Sequence, residues 1–395
     1  MIVRMVAHSA PPPRSAQAQA WVLGAIDLVR ALRLAAIPTV VVAGRQDPAR
    51  YSRAAVATVD PASPSHDPEV MVPSLLALAS HQRDLPVLYY DNDADLLLVS
   101  RHREQLACGF RFVMPSAELV EDLVDKGRFQ ALAERLGLPV PRAVQCSSRA
   151  VGDDPGLRYP LVVKPISRHA GGWSGVVPAK AAHIGDRDEL ARLGGRLAGV
   201  DIGLLVQEAV AGSEDRIESY HAYIEERGRI AGEFTGRKLR TYPRAYGFST
   251  AITITESSEV SELGRRVALT LELQGVVKVD FKRAPGGRLK LLEVNPRFNL
   301  WHHPGALAGV NLPALVYARL LGRPLPAPVR ARQGVTWCSS HDLRAARAEG
   351  VGVVPWLRWV AACDATSGFS WDDPLPIPRA ALARARLRLC RRIGA

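Results

Sequence analysis

Two acidic residues, Asp280 and Glu293, lie in the stretch 276–297 and have the types and spacing needed to bind a cation together. Two predicted strands flank the sequence Pro285-Gly286-Gly287-Arg288, and Gly-Gly is a favoured centre for a tight hairpin because both residues tolerate a positive φ. A two-residue turn at this point places the two carboxylates directly opposite each other. The sequence therefore predicts an acidic pair on one face of a hairpin.

The same turn gives the hairpin an apolar face on its other side. Val279 is expected to face Val294, and Phe281 is expected to face Leu292. A loop of three or five residues would shift this register by one and break the pairing of the acids, so the prediction depends on the two-residue turn.

Like charges that lie directly across a strand pair are destabilising, because their Cβ atoms are only about 4.5–5.5 Å apart. A positive group should therefore lie between Asp280 and Glu293. A divalent cation with oxygen ligands fits, since Asn295 lies one pleat further along the same face and offers another oxygen. Lys278 is the expected cross-strand partner of Asn295. The alternative is an exposed acidic pair whose repulsion is relieved by Lys278 and Lys282.

Outside the hairpin, a lysine and a glycine-rich loop have the types that could bind a phosphate. Lys164 ends an apolar strand, and the loop 167–175 that follows could offer backbone N–H groups without side-chain hindrance. A lysine at a strand end is also a common solvated charge, and a glycine loop is also a common flexible turn. Neither feature defines a site by itself.

The elements that must position these residues change in character along the chain. Near the N-terminus, helical apolar spacing at 20–34 is followed by a β-branched run at 37–43 and a short strand at 86–90. Strands that alternate with helices predict a parallel sheet. No G-x-G-x-x-G motif is present, so a dinucleotide site is unsupported.

From Ser116 onward, two helical stretches (118–124 and 128–136) end at Gly137, and the chain then becomes richer in strands. Strands are predicted at 159–164, 204–208, 219–224 and 230–235, and helices at 260–273 and 379–392. The last helix is rich in arginine, and a linker is predicted at 324–328.

The composition indicates a globular protein of two or three packed units. The chain has 395 residues, of which 47% are hydrophobic and 23% are charged. The sequence contains no run of about 18 uncharged apolar residues, so no membrane span is predicted. Pro11 to Pro13 stand where an export signal would have its apolar region, so no export signal is expected. The five scattered cysteines favour reduced thiols and a cytoplasmic location.

The net charge of +12 has two interpretations. It suits an anionic partner, such as ATP, a polycarboxylate, nucleic acid or a membrane surface, or it reflects a composition rich in arginine. No segment interleaves basic and aromatic residues as nucleic-acid modules do, so no nucleic-acid partner is expected.

An acid on one strand followed by Glu-x-Asn-Pro-Arg on the next resembles the metal-binding hairpin of the ATP-grasp superfamily. The resemblance implies that Asp280, Glu293 and Asn295 hold Mg²⁺, with Mn²⁺ as the alternative, against the phosphates of ATP. It also implies that Arg297 faces the transferred phosphoryl group or the carboxylate of the substrate.

Further residues resemble the rest of an ATP site and occur in the order of that family. The resemblance implies the following nucleotide-binding residues: Lys126 and Lys164 at the phosphates, Gly171, Gly172 and Gly175 in the phosphate flap, Gln207, Glu208 and Val210 at the hinge that binds adenine, and Glu214 at the ribose. Asp215 is an alternative to Glu214.

Within the superfamily, the segments 236–243, 247–250 and 299–303 resemble a group of carboxylate–amine ligases that includes D-aspartate ligases. The candidate catalytic cations are Arg237, Lys238, Arg240 and Arg297, each of which could also be a surface charge. The candidate substrate residues are Tyr242, Ser249, Asn299, His302 and His303, although the histidines could equally pack against Trp301 or face solvent.

The resemblance covers most of the chain and implies a fold class. A parallel α/β domain that precedes the ATP-grasp domain is expected at 1–115, and a two-lobed α+β ATP-grasp domain at 116–325. The lobes are expected at 116–208, with the phosphate flap, and at 209–325, with the metal hairpin. A smaller mixed unit with the arginine-rich helix is expected at 326–395.

The resemblance also implies an activity. We expect an ATP-dependent enzyme that activates a carboxylate as an acyl phosphate and joins it to an amine, releasing ADP and phosphate. The substrates would be small molecules, such as amino acids or peptides. The protein could also form an oligomer. The alternatives are a carboxylase or kinase-like enzyme with a non-amine acceptor, a non-catalytic nucleotide-binding protein, and a binder of nucleic acid or membrane surfaces.

Overall fold

The computed structural model of the protein describes residues 17–60, 67–167 and 171–393. The prolines at 11–13, on which the prediction about an export signal depends, lie outside the described residues. So do residues 168–170 of the predicted glycine-rich loop. No helix in the described part of the chain is long and apolar enough to cross a bilayer.

The N-terminal part is a four-stranded sheet with helices packed on it. Its strands run in the order β3-β2-β1-β4 and all their pairings are parallel, so the predicted parallel sheet is confirmed. The elements are β1 (Ala20–Leu23), α1 (Ile26–Leu34), β2 (Thr39–Val42), β3 (Ala55–Val59), α2 (Pro68–Ala79), β4 (Val87–Tyr90), α3 (Asp93–Arg101) and α4 (Arg103–Ala107).

The helix predicted at 20–34 is wrong in its first third. Residues Ala20–Leu23 form the central strand β1, and the helix begins only at Ile26. All four strand residues are buried, and a short apolar run buried on both faces has no period that separates it from a buried helix. Gly24, with a φ of 78°, forms the turn between the two elements.

The next part of the chain forms a second sheet, of four antiparallel strands in the order β5-β8-β6-β7. Leucines of α8 and strand residues share one apolar core beneath it. The elements are α5 (Ala117–Val124), α6 (Lys126–Arg135), β5 (Ala143–Ser147), β6 (Leu161–Pro165), α7 (Trp173–Val176), β7 (Ala182–Ile184), α8 (Arg187–Leu197) and β8 (Gly203–Glu208).

The third sheet has seven strands in the order β13-β12-β9-β10-β11-β14-β15 and carries the predicted hairpin. Its elements begin with β9 (Ile217–Ile224), β10 (Ile230–Tyr242), β11 (Phe248–Thr255), α9 (Ser258–Thr270), β12 (Gly275–Arg283), β13 (Leu289–Asn295), α10 (His302–Leu307) and α11 (Leu312–Leu320). The remaining elements are β14 (Thr336–Cys338), α12 (Asp342–Ala348), α13 (Val353–Ala362), β15 (Ala365–Thr366) and α14 (Pro376–Ile393).

Strands β14 and β15, which lie in the predicted C-terminal unit, extend the seven-stranded sheet. The segment after them returns to the N-terminal sheet, where the buried carboxylate of Asp373 accepts hydrogen bonds from the Ser52 hydroxyl at 2.6 Å and the Arg53 backbone N–H at 2.9 Å. The C-terminal segment therefore contacts both the seven-stranded sheet and the N-terminal part, and the division of the chain into domains stays a prediction.

The hairpin of β12 and β13 has the predicted register at its open end. Asp280 pairs with Glu293, and Lys278 pairs with Asn295. The two carboxylates are thus directly opposed, as the sequence predicts.

The closed end of the hairpin differs from the prediction. The loop has three residues, because the N–H of Ala284 donates to the carbonyl of Arg288 at 2.9 Å. Phe281 consequently pairs with Leu291, and its predicted pairing with Leu292 is wrong. Leu292 has no cross-strand partner and forms a bulge, which restores the register just before the acidic pair.

Candidate active site

Asp280 lies at the centre of a buried polar cluster on one face of the seven-stranded sheet. Its carboxylate is 1% exposed. The Lys278 ammonium donates to its Oδ2 at 2.6 Å, the Lys238 ammonium lies 3.5 Å from the same oxygen, and the Ser219 hydroxyl donates to Oδ1. Burial raises the pKa of Asp280, but the two lysine charges outweigh burial and hold the pKa well below its ordinary value. The group is therefore an ionised carboxylate.

Glu293 and Asn295 border this cluster on the neighbouring strand. The Glu293 side chain is 47% exposed, and its Oε1 lies 3.9 Å from the Lys278 ammonium. The Lys278 ammonium therefore lies between the two acids, as one sequence interpretation expects. Lys282, the other lysine of that interpretation, donates instead to Glu214 at 3.2 Å.

The oxygen atoms of this cluster fit a hard divalent cation. Asp280, Glu293 and Asn295 present two carboxylates and an amide on the same end of the hairpin. Mg²⁺ is usually held by one or two carboxylates together with substrate phosphates and water, so this set suits a metal bound with a nucleotide. Among the described residues, no group of three or more His, Cys, Asp or Glu side chains could hold a metal ion without such help.

Two further lysines, Lys126 and Lys164, lie close to each other beside β6. Lys126, the first residue of α6, donates to the carbonyls of Pro165 and Ile166 at 3.1 and 3.3 Å. Lys164 on β6 donates to the Gln207 side chain at 3.2 Å. Burial, followed by the Lys126 charge, lowers the pKa of Lys164 to about 8, although the Glu293 charge opposes both. Glu293 of the hairpin therefore acts electrostatically on Lys164 of the four-stranded antiparallel sheet.

The predicted phosphate flap is partly helical. Gly175 lies within the short helix α7, and the exposed Gly171 and Gly172 precede it. Gly172 has a φ of 91°, and a Cβ atom there would lie 2.5 Å from a methyl group of Val200. A larger residue here would need the Val200 side chain to move and would be strained at this φ.

The predicted hinge residues lie at the end of β8, where Gln207 and Glu208 are its last two residues and Val210 follows it. The Glu208 carboxylate accepts hydrogen bonds from the side chain and the backbone N–H of Arg158, and the side-chain bond holds the pKa of Glu208 below its usual range. Val210, two residues further on, is partly exposed. Glu214 lies in a 3₁₀ turn, where it accepts the bond from Lys282.

Of the four candidate catalytic cations, the structure brings Lys238 and Arg297 to the acidic hairpin. Arg240 instead makes two hydrogen bonds to the buried Asp342, at 2.9 and 2.7 Å. Arg237 is exposed and is adjacent to Lys238 in the same strand, so its side chain starts on the opposite face.

Arg297 joins the hairpin to the N-terminal sheet. Its guanidinium donates to Asp93 Oδ1 at 2.5 Å, to the Asp91 carbonyl at 2.7 Å and to Asn295 Oδ1 at 3.4 Å. Asp91 directly follows β4, and burial raises the pKa of its carboxyl to about 7 although the Arg297 charge opposes this. The carboxyl end of the parallel sheet thus contacts Arg297 beside the hairpin.

A pair of buried imidazoles lies behind the acidic cluster. His221 stacks on Phe234 with ring centroids 4.6 Å apart, and the His302 ring lies 6.4 Å from His221. Burial, followed by the Lys278 charge, lowers the pKa of His221 well below its ordinary value, and burial lowers the pKa of His302 to about 3. Both rings are therefore uncharged at neutral pH.

The other candidate substrate residues make separate contacts. The Asn299 side chain bonds to the backbone of Arg297 and Trp301 and so shapes the segment after β13. The Nδ1 atom of His303 lies 3.5 Å from the Asp27 carboxylate. Tyr242 pairs with Phe248 and Ser249 pairs with Thr241 next to the β10–β11 turn, where Tyr242 and Phe248 are exposed.

Sequence reasoning missed three residues of this site: Ser219, His221 and Asp91. Ser219 and His221 had no signal in the sequence, since they reach the cluster only through the pairing of β9 with β12, which lie far apart in the chain.

Comparison with known proteins agrees with this geometry. A family model described as ATP-grasp in the biosynthetic pathway with Ter operon matches residues 230–341, which include the whole hairpin. D-alanine–D-alanine ligase of Halorhodospira halophila is 28% identical over 220 residues, covering 51% of this chain and 67% of that protein. D-aspartate ligase of Enterococcus faecium is 23% identical over 286 residues, covering 68% of this chain and 67% of that protein.

Solved structures show the same architecture. N5-carboxyaminoimidazole synthetase from Staphylococcus aureus, complexed with ADP, superposes with a TM-score of 0.61 at 15% identity, covering 82% of this chain and 81% of that chain. At this identity the likeness concerns the fold alone, and it confirms the fold class predicted from the sequence.

Proposed function

Because the chain belongs to the ATP-grasp superfamily, we propose that it is an ATP-dependent ligase that activates a carboxylate as an acyl phosphate and joins it to an amine. The observation that carries the proposal is the directly opposed pair Asp280 and Glu293, with Lys238 beside Asp280 and with Lys164 near enough to Glu293 for their charges to interact. Acids and ammonium groups in this arrangement suit a metal–polyphosphate complex better than either group alone.

The proposal gives each group a role in binding. Lys126 and Lys164 would bind the phosphates from one lobe, with Gly172 in the flap above them. Asp280, Glu293 and Asn295 would hold Mg²⁺, which would neutralise phosphate charge and lower the cost of charge development during transfer.

The reaction would then proceed in two transfers. An oxygen of the substrate carboxylate takes the terminal phosphoryl group of ATP, and the bond to the ADP oxygen breaks. The amine then attacks the carbonyl carbon, phosphate leaves, and the amine nitrogen loses a proton. Lys238 and Arg297 are the cations placed to steady the phosphoryl group, because Arg240 is held by Asp342.

The names of two relatives support an amine as the acceptor. Both are ligases named for amino acids, D-alanine in one case and D-aspartate in the other. We therefore include amino acids or peptides as substrates in the proposal, and a cytoplasmic location, where ATP is available.

The experiment that tests the proposal is a screen of amino acids and short peptides for ADP release, with hydroxylamine as a trap. Hydroxylamine attacks an acyl phosphate to give a hydroxamate, so ADP and hydroxamate should appear in equal amounts with the right acid. AMP as the product would exclude phosphorylation of the carboxylate. ADP without hydroxamate would favour the kinase-like alternative, and bicarbonate-dependent ADP release would favour a carboxylase.

A further inference from the structure

Lys278 occupies the position between the two candidate metal ligands. Its ammonium lies 2.6 Å from Oδ2 of Asp280 and 3.9 Å from Oε1 of Glu293. Lys278 is only 9% exposed, so this charge is held inside the site. A divalent cation that bound the same Asp280 oxygen would lie about 2.0–2.1 Å from it.

An ammonium and a divalent cation cannot share this oxygen without strong repulsion. Both would lie within about 3 Å of it, and like charges at such separations repel strongly where water is largely excluded. Lys238 lies 3.5 Å from the same oxygen and adds to the repulsion. Metal binding at Asp280 and Glu293 therefore requires the Lys278 ammonium to move away.

An acceptor for the displaced ammonium lies on the adjacent strand. Lys278 pairs in register with His221 of β9, so the two side chains start on the same face with Cβ atoms about 4.5–5.5 Å apart. His221 is fully buried, and among the described residues neither of its ring nitrogens has a hydrogen-bond partner. An uncharged imidazole has one acceptor nitrogen, and leaving it unpaired in a buried site costs free energy.

We propose that Lys278 is a counter-ion with two positions. In the metal-free site it neutralises Asp280 and Glu293, and in the metal-bound site it donates to His221. The inference rests on the proposed function, because it takes the Mg²⁺ site of that function as given. Its consequence is selectivity for the metal–nucleotide complex, since free metal must displace an ammonium without help from phosphates.

Binding of Mn²⁺ alone, followed by EPR on the full chain, tests this proposal. Lys278→Met should bind Mn²⁺ at least tenfold more tightly than the wild type, because no resident charge has to be displaced. Lys282→Met is the matched control, since Lys282 lies on the same strand but bonds to Glu214, and its Mn²⁺ affinity should equal that of the wild type. Lys278→Gln replaces Lys278→Met if the latter does not fold.

The second position is tested by a double-mutant cycle. His221→Phe keeps a ring against Phe234 but removes the acceptor, so it should weaken Mn²⁺ binding at least threefold in the wild type and have no effect in Lys278→Met. Equal losses in both backgrounds would remove His221 from the proposal.

The outcomes separate this inference from the proposed function. Equal or weaker Mn²⁺ affinity in Lys278→Met, with binding still abolished by Glu293→Gln, would overturn the two-position counter-ion and leave the metal site standing. Absence of Mn²⁺ binding in both the wild type and Lys278→Met, with ADP present as well as without it, would overturn the metal site itself, and the metal-dependent function with it.

Discussion

Arg240 and Asp342 form a bidentate ion pair between β10 and α12, with N–O distances of 2.9 and 2.7 Å. The Asp342 carboxylate is fully buried and also accepts a hydrogen bond from the Trp356 ring N–H at 3.0 Å. The Arg240 guanidinium lies over the Trp359 ring as well, 4.1 Å from its centroid. These contacts suggest that Arg240 stabilises the fold, although the sequence resemblance gives it a catalytic role.

Asp342→Asn should therefore destabilise the protein by about 3–5 kcal/mol, because it leaves the Arg240 charge buried without a counter-ion. Urea unfolding measures this change. The double variant Arg240→Met with Asp342→Leu should recover most of the loss, since both charges are removed together. If Arg240 acts in catalysis, the folded double variant will be inactive; near-normal turnover would assign it to stability.

Asp280→Asn and Glu293→Gln should both reduce turnover by orders of magnitude, because each removes a candidate metal ligand. Their effects on stability should differ. Asp280 is buried against two lysines, so its neutralisation leaves their charges unpaired, whereas Glu293 is half exposed. Thermal melting should show a clear loss for Asp280→Asn and almost none for Glu293→Gln. Near-normal turnover in both variants would exclude the metal assignment.

Nucleotide binding should weaken above about pH 8, where the Lys164 ammonium of the free protein loses its proton. Phosphate binding requires the charged form, so the Kd for ATP should rise by up to about tenfold per pH unit above this value. Lys164→Arg, whose guanidinium stays charged, should bind ATP with little dependence on pH up to 9.5. Fluorescence or calorimetric titration from pH 7 to 9.5 provides the measurement. An unchanged pH dependence in Lys164→Ala would make Lys164 a surface charge.

The sequence predicts the acidic pair well because its determinants are local. Asp280 and Glu293 lie on consecutive strands, and the register near them depends on one short loop. The prediction of that loop is wrong, yet the pairing holds, because the bulge at Leu292 compensates for the third loop residue. The alternation of apolar and polar residues along the two strands does not predict such a bulge.

The rest of the site depends on contacts between distant segments. Ser219 and His221 reach the cluster because β9 lies between β12 and β10, and β-strand order cannot be read from any one segment. Asp91 reaches Arg297 only after two separate sheets have packed together. The misassigned strand at Ala20–Leu23 has the same origin, since burial on both faces comes from neighbours far away in the chain.

Stability should decrease as the pH falls below about 6.5, because His302 is buried and uncharged. Its pKa is about 3 in the folded protein and near 6.5 in the unfolded chain, so between these values only the unfolded state binds the proton. The contribution is complete above pH 6.5 and is lost at about 1.4 kcal/mol per pH unit down to about pH 3. His221 acts in the same direction.

The free energy of unfolding, measured by urea titration from pH 7 to 4, should thus depend less steeply on pH in His302→Phe than in the wild type. His183→Gln is the control, since His183 is exposed on β7. If both variants keep the slope of the wild type, the His302 imidazole must reach solvent or a charged partner in solution.

Arg297→Lys should slow the chemical step far more than it weakens ATP binding. The Arg297 guanidinium holds Asp93, the Asp91 carbonyl and Asn295 at once, so its fork is fixed at the junction of the N-terminal sheet and the hairpin. Lysine keeps the charge but cannot reproduce this bidentate geometry around a phosphoryl group. Single-turnover kinetics separate the two effects, because they report ATP binding and phosphoryl transfer independently.

Asp93→Asn provides the comparison for Arg297, because it removes the charge of one hydrogen-bond partner and leaves the guanidinium itself in place. Its single-turnover rate should fall less than that of Arg297→Lys, and hydroxamate formation should follow the same order. Equal losses of ATP affinity and rate in Arg297→Lys would mean that the guanidinium binds the nucleotide in the ground state and contributes nothing specific to transfer. A rate unchanged in Arg297→Lys and reduced in Asp93→Asn would instead place the catalytic contribution in the loop after β4, and Asp91 would become the residue to examine.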